Sequence, residues 1–152
     1  MSENKVKLVS LHDGIKEEYL ALKVHHYQDT FVESPEESLE DKERHAWNIN
    51  WTIECIYAGS QMIGYAMHGM GKDQNVWLDR FMIDKRYQGE GYGTDALTQL
   101  LDKMKTVYPS RKHILLSVEK HNESAIKMYE RFGFKMTQEM DGIYPVMILS
   151  EE

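Results

Sequence analysis

Cysteine is almost absent. The single thiol, Cys55, cannot form a disulfide within the chain, which fits a reducing compartment. It lies in an apolar, strand-like run at residues 51–57, so the reading is a buried, inert thiol and not a nucleophile. Long hydrophobic runs are missing too. None approaches the roughly 18 residues that a membrane span needs, and the N-terminal MSENKVKL has no apolar signal core. The expectation is a cytoplasmic protein with no membrane partner. Positive charge is in deficit: 18 Lys and Arg stand against 25 Asp and Glu, a formal net charge of -7. A nucleic-acid partner is therefore not expected, since such proteins carry a basic face. Acidity of this kind steers cationic amines toward a protein, and it also serves solubility. Proline is scarce and scattered, at Pro35, Pro109 and Pro145. With no linker, repeat or low-complexity tract, the 152 residues read as one domain, 1–152.

The apolar pattern then lays out the elements. Residues 6–11 read as a short strand, and 15–24 as a helix. Ser34-Pro35-Glu36-Glu37 is a strong helix start: Ser34 caps, Pro35 suits the first turn and Glu37 completes a capping box. That helix is expected to reach about residue 47. Two apolar runs, 51–58 and 61–69, flank Gly59-Ser60 as a hairpin. A turn at 71–75 leads to a third strand at 76–83. Leu97, Leu100, Leu101 and Met104 mark a helix over 94–107, which Pro109 ends. A strand at 113–118 and a helix at 122–132 follow. The last hairpin, 134–139 with 144–149, turns around Asp141-Gly142. The order βααβββαβαββ implies an α/β (α+β) domain: a mixed, mainly antiparallel sheet with helices on both faces.

The most informative segment runs Gln88, Gly89, Glu90, Gly91, Tyr92, Gly93, Thr94. It follows a strand and opens a helix. Glycine lets backbone approach a ligand closely and accepts positive φ. The N–H groups of such a loop, with the helix start, bind anions. Three uses compete: a turn with no ligand, a dinucleotide fingerprint (Gly91-x-Gly93-x-x-Ala96, with Glu119 as the ribose acid), or a cradle for the pyrophosphate of coenzyme A. The dinucleotide use fits poorly, because the glycines sit well beyond the strand end at Ile83 and little chain follows for a doubly wound sheet. A P-loop would need Gly-Lys-Ser/Thr, which is lacking.

Gln88, Gly91 and Gly93 fill the defining positions of the Q/R-x-x-G-x-G/A signature, and Arg86 to Gly93 resembles that of the GNAT acetyltransferase superfamily. Asn122, Ala125, Tyr129, Gly133 and Phe134 resemble the family's N-x-x-A-x-x-x-Y-x-x-x-G-F segment. The resemblance covers about residues 6–149. It implies a GNAT fold and acetyl-CoA as co-substrate. It also implies that backbone groups of Phe81, Met82 and Ile83 pair with pantetheine. An N–H near Met82 would polarise the thioester carbonyl, and residues 88–94 would hold the pyrophosphate. Asn122 would touch the cofactor arm or serve as a plain helix cap. Tyr129 matches the general acid that protonates the departing thiolate; from spacing alone it is equally a core tyrosine. Asp79 stands where many relatives have an acid, and would take a proton from the amine directly or through water. Its alternatives are an ion pair with Arg80 or Arg86, or a solvent-facing place.

The substrate signal is softer. Phe31-Val32-Glu33 with Ser38-Leu39 resembles the N-terminal helical region of bacterial spermine/spermidine acetyltransferases, as do Phe81 to Lys85 and Tyr87 to Gly89. Glu33, Glu37, Glu40 and Asp41 would bind a polycation by charge-assisted hydrogen bonds, or simply favour the helix dipole. The expected partner is a small-molecule amine. An aminoglycoside, an amino acid or a protein lysine are alternatives, as is a non-catalytic sensor of coenzyme A or polyamine. The seven histidines show no metal spacing, and no metal is expected. A homodimer is compatible with the sequence, with Trp47, Trp51 and Trp77 as core or interface residues.

Overall fold

The computed structural model describes residues 5–22, 35, 36, 39 and 49–151. The strands are β1 (Lys7–Ser10), β2 (Thr52–Ala58), β3 (Gln61–Met70), β4 (Asn75–Ile83), β5 (His113–Ser117), β6 (Phe134–Asp141) and β7 (Tyr144–Leu149). The helices among the described residues are α1 (Lys16–Leu20), α2 (Tyr92–Val107) and α3 (Glu123–Arg131). One sheet contains all seven strands in the order β1-β2-β3-β4-β5-β7-β6. Short turns join β2, β3 and β4, so these pair antiparallel. Passing from β4 to β5 requires the crossover helix α2, and among the described residues this pair alone is parallel. The chain then returns through α3, and β7 inserts between β5 and β6.

Packing explains why the middle strands read as continuous apolar runs. Leu97, Leu100, Leu101 and Met104 of α2 bury one stripe against Val76, Leu78, Ile114 and Leu116. Tyr19 and Leu22 cover other residues of the same sheet: Ile53, Cys55, Tyr65, Met67 and Met82. A third cluster, Val6, Ile56, Ile63, Ile83 and Ala96, fills the space near the start of α2. β2 and β3 are thus covered on both faces, and the period-2 alternation of a half-exposed strand disappears. Cys55 is fully buried. Burial, with the charges of Glu54 and Glu18 behind it, pushes its thiol up to about 12, so it is inert, as expected.

A polar network interrupts this core. Glu54 on β2 is fully buried. Its Oε1 accepts from Lys103 Nζ of α2 at 2.8 Å and from Ser10 Oγ at 3.1 Å. Its Oε2 lies 2.8 Å from His68 Nε2, and His68 Nδ1 lies 2.7 Å from the Tyr108 hydroxyl. Burial alone would raise the Glu54 carboxyl. The hydrogen bonds from His68 and Lys103, with the Lys103 charge, outweigh it and hold the carboxyl at about 2. The network pins the C-terminal half of α2 to β2 and β3.

Three boundaries differ from expectation. The helix expected over 15–24 begins as a tight turn at Asp13–Ile15 and ends at Leu20. Leu22 N–H bonds the Tyr19 carbonyl three residues back, which closes the helix while both side chains stay buried. α2 begins at Tyr92, not Thr94, because Gly91 takes φ +83° and its carbonyl already accepts from Asp95 N–H. The last hairpin pairs Asp141 with Tyr144, so its loop is Gly142-Ile143, one residue later than expected. Positive φ falls on Gly142 and not on Ile143, the pattern of a II′ turn. Pro35, Glu36 and Leu39 are helical, as Ser34-Pro35 suggested. The rest of that expected helix, with Ser34 and Trp47, lies outside the described residues. No helix among the described residues is long and apolar enough to cross a membrane.

Candidate active site

β4 and β5 part company early. They pair only at Asn75↔His113, Val76↔Ile114 and Trp77↔Leu115. Beyond that point β5 goes on with β7, through Leu116↔Met147 and Ser117↔Val146. β4 goes on with β3 alone, through Gly64↔Ile83. A wedge opens between them, and among the described residues no strand pairs with residues 78–83 of β4 on that side. A bulge sets the start of this free edge. The β3 register jumps from Met67↔Arg80 to His68↔Leu78, leaving Asp79 as the extra residue. The bulge resets the alternation, so Val76, Leu78, Phe81 and Ile83 all pack in the clusters that contain α2 residues, while Met82 packs with Tyr19 and Tyr65. Bulges re-aim side chains in this way beside functional clefts.

The direction of the free backbone groups follows from peptide planarity. A Cβ on Gly64 would lie 2.2 Å from the Met82 carbonyl oxygen, so that carbonyl points at β3. In the trans peptide the Ile83 N–H then points the other way, into the wedge. Asp84 N–H donates to the Ile63 carbonyl at 2.6 Å, so the Ile83 carbonyl also faces the wedge. By alternation Phe81 does the same. Of the three β4 residues singled out above, Phe81 and Ile83 present their backbone to the wedge, and Met82 presents its backbone to β3.

The glycine loop lies at the end of this edge. Gln88 Nε2 donates to the Ile83 carbonyl at 2.7 Å, tying the loop to the strand. Asp84, fully buried, accepts from Arg86 N–H at 2.9 Å and from Arg86 Nε and Nη2 at 2.9 and 3.0 Å. This braces the turn Lys85–Tyr87. Arg86 is thereby committed to Asp84, and its guanidinium is held further up by the bond. Gly89 and Gly91 have φ +81° and +83°, where a side chain costs about 1–2 kcal/mol. Glu90 is exposed between them. Tyr92, Gly93 and Thr94 form the first turn of α2, not the loop proper. A Cβ on Gly93 would touch Ile83 Cγ1 at 3.9 Å and Met128 Sδ at 4.0 Å. Gly93 therefore borders both the β4 edge and α3. A free strand edge, a pair of positive-φ glycines and a helix N-terminus in a row suit an extended ligand that carries amides and ends in phosphates.

Tyr129 on α3 belongs to the core cluster of Leu78, Leu116 and Val118, against which Phe81 packs. Those residues come from both sides of the wedge. Its ring meets Phe134 edge-on at 5.8 Å. Burial pushes its phenol well up, with no charged neighbour as a cause. Asp79 stands two residues past the last β4–β5 pair, at the vertex of the wedge. Its Oδ2 lies 3.3 Å from Arg80 Nη1, and a quarter of its side chain is exposed. Of its alternative partners Arg80 is realised, whereas Arg86 is taken by Asp84. Asn122 occupies the N-cap position of α3, yet its side chain makes no capping bond. Glu33, Glu37, Glu40 and Asp41 lie outside the described residues. Glu119 sits in the turn before α3. Among the described residues the sheet holds one parallel pair and no doubly wound half, so the dinucleotide fingerprint has no fold to serve. Sequence reasoning missed Gly64, whose requirement comes from a strand neighbour 18 to 19 residues on, and the Glu54 network, whose members are scattered.

The geometry has counterparts. Residues 12–134 match the Acetyltransferase (GNAT) family. The spermine/spermidine N(1)-acetyltransferase of Bacillus subtilis (strain 168) is 35% identical over 144 residues, 90% of this chain and 91% of that protein. The spermidine N-acetyltransferase from Vibrio cholerae, solved in complex with CoA and spermine, has a TM-score of 0.73 at 19% identity, over 96% of this chain and 94% of that one. The PaiA N-acetyltransferase from Thermoplasma acidophilum, solved in complex with coenzyme A, has a TM-score of 0.70 at 19% identity, over 99% and 100% of the two chains. At such identities the two solved structures speak for the fold.

Proposed function

Since the chain belongs to the acetyltransferase (GNAT) family, we propose that it moves an acetyl group from acetyl-CoA to a primary amine of a polyamine, spermine or spermidine, by direct attack. The observation that carries this reading is the 35% identity, along nine-tenths of the chain, to a relative named for that activity. The acidic residues Glu33, Glu37, Glu40 and Asp41, in a chain of net charge -7, suit a polycation.

Acetyl-CoA, when bound, supplies the activated acetyl group. The chain's own residues do the rest. Backbone groups of Phe81 and Ile83 align the ligand arm along the β4 edge. The Phe81 N–H, one residue before Met82 and nearer Asp79, is aimed into the wedge and donates to the acetyl oxygen as negative charge develops there. The loop from Gln88 to Gly91, with Tyr92, Gly93 and Thr94 at the helix start, holds the phosphates. Asn122, with its side chain not engaged as a cap, reaches the arm from α3.

Three proton movements complete the transfer as the N–C bond forms and the C–S bond breaks: one off the ammonium, one onto the departing sulfur, and the second nitrogen proton, shed as the amide forms, back to the Tyr129 phenol through water. An amine of pKa about 10.4 is mostly protonated at pH 7, and freeing it costs roughly 4–5 kcal/mol. Asp79, at the wedge vertex, accepts that proton directly or through water. Tyr129 keeps its own proton, because its phenol is pushed up by burial, and gives it to the departing sulfur. A thiol of pKa about 8.5 is the stronger acid of the two, so Tyr129 acts first as a hydrogen-bond donor to the sulfur, and its proton moves as the C–S bond breaks.

Product analysis tests the reading. Incubation with acetyl-CoA and spermidine should yield monoacetylated spermidine by mass spectrometry. Acetylation of a lysine peptide or an aminoglycoside, with spermidine and spermine untouched, would keep the transferase and discard the polyamine.

A further inference from the structure

Between Gln88 and Gln99 the chain carries Glu90 and Asp95 and no cation. That is an odd composition for a segment proposed to hold phosphates. Asp95 lies in the first turn of α2, one turn after Gly91, where a free carboxylate would repel an anionic ligand. It is not free. Its Oδ2 accepts from Lys5 N–H at 2.6 Å and from Val6 N–H at 2.9 Å. One turn further along, Gln99 Nε2 donates to the Val6 carbonyl at 2.6 Å and lies 3.3 Å from Asp95 Oδ2. The entry to β1 is thus strapped across the first two turns of α2.

This strap sets the place of one side chain. With the Lys5 backbone held, its Nζ reaches the Glu90 carbonyl at 3.5 Å. It also lies 3.2 Å from where a Gly91 Cβ would stand. The Glu90–Gly91 peptide is planar and trans, so a carbonyl turned toward Lys5 sends the Gly91 N–H to the opposite side of the loop. The same ammonium offsets the charge of Asp95 and Glu90 beside the loop. We propose that Lys5 is a positioning residue: clipped to α2 by Asp95, it orients the Glu90–Gly91 peptide so that the Gly91 N–H is presented to the pyrophosphate of acetyl-CoA. This rests on the acetyl-CoA reading above and adds to it a residue far from both sequence motifs.

The experiment compares the full chain with Lys5→Met, Lys5→Arg and Asp95→Ala. It reads coenzyme A Kd by calorimetry and steady-state rates against acetyl-CoA and amine. Lys5→Met is an exposed change that leaves the fold in place. It should raise the Kd and the KM for acetyl-CoA about three- to tenfold. Saturated kcat and the KM for amine should stay put, and Lys5→Arg should restore affinity. Asp95→Ala should weaken coenzyme A in the same direction, because the strap that places Lys5 is gone. Dephospho-coenzyme A should show the same loss as coenzyme A. A Lys5→Met Kd within twofold of the parent overturns the proposal and leaves the acetyl-CoA site standing. So does a loss seen with coenzyme A and absent with dephospho-coenzyme A, which would assign Lys5 to the 3′-phosphate. No binding by the parent chain would overturn the site itself.

Discussion

Trp77 and Leu115 form the last backbone pair between β4 and β5, and Asp79 stands two residues beyond it, in a bulge. The parting of the strands and the bulge fall together, so a carboxylate stands at the opening of the wedge. Asp79→Asn should therefore lower kcat/KM at pH 7 by roughly 10²-fold. The deficit should narrow as pH rises toward 10, where free amine becomes abundant without a base. A deficit constant across pH would mean that Asp79 acts by holding Arg80 and not by taking a proton.

Tyr129→Phe tests the proposed acid. The ring keeps its packing on Phe134, and its hydroxyl makes no hydrogen bond among the described residues, so the fold should hold. Turnover should fall roughly 10²–10⁴-fold, with coenzyme A affinity unchanged. Because burial raises the phenol, the parent enzyme should show no alkaline loss of rate below about pH 10. An unchanged rate in the variant would assign the proton to another donor.

Gly64 should tolerate nothing larger. A Cβ there meets the Met82 carbonyl oxygen at 2.2 Å, which forces β4 away from β3. Gly64→Ala should cost roughly 1–3 kcal/mol by chemical denaturation and raise the KM for acetyl-CoA, since the Ile83 N–H moves with the strand. Gly59→Ala is the control: its φ is +62° with open space around it, so it should cost only about 1–2 kcal/mol of backbone strain and leave that KM alone.

The Glu54 network makes stability depend on acid. Its carboxyl is held at about 2, below an ordinary 4.5. A group depressed in the folded state stabilises it above the unfolded value, and that contribution is lost as pH falls from about 4.5 toward 2. Such a gap is worth roughly 3 kcal/mol. Glu54→Gln should melt well below the parent at pH 7, and the difference should shrink as the pH approaches 2. A difference that stays constant across that range would assign the loss to packing.

Much of this was legible in the residues, for physical reasons. The succession of elements along the chain follows from turn signals such as Gly59-Ser60 and from the helical stripe of Leu97, Leu100, Leu101 and Met104. The glycine loop shows itself because two of its glycines take positive φ, where a side chain costs about 1–2 kcal/mol. The wedge has no local signal, since where β4 leaves β5 depends on pairings between residues almost forty apart. Which backbone groups face it turns on Gly64, whose need for close approach carries no local pattern. Helix starts were misplaced by two residues at Gly91, because a left-handed glycine can itself begin a helix. Lys5 and Asp95 are ninety residues apart, and nothing in either neighbourhood points to the other.

The most direct test of the account is release of free coenzyme A thiol from acetyl-CoA, with spermine, spermidine, an aminoglycoside and a lysine peptide each offered as acceptor. Fast release with spermine and spermidine, abolished by Tyr129→Phe, is the predicted result. No release above the background hydrolysis with any of these amines, despite coenzyme A binding, would contradict it.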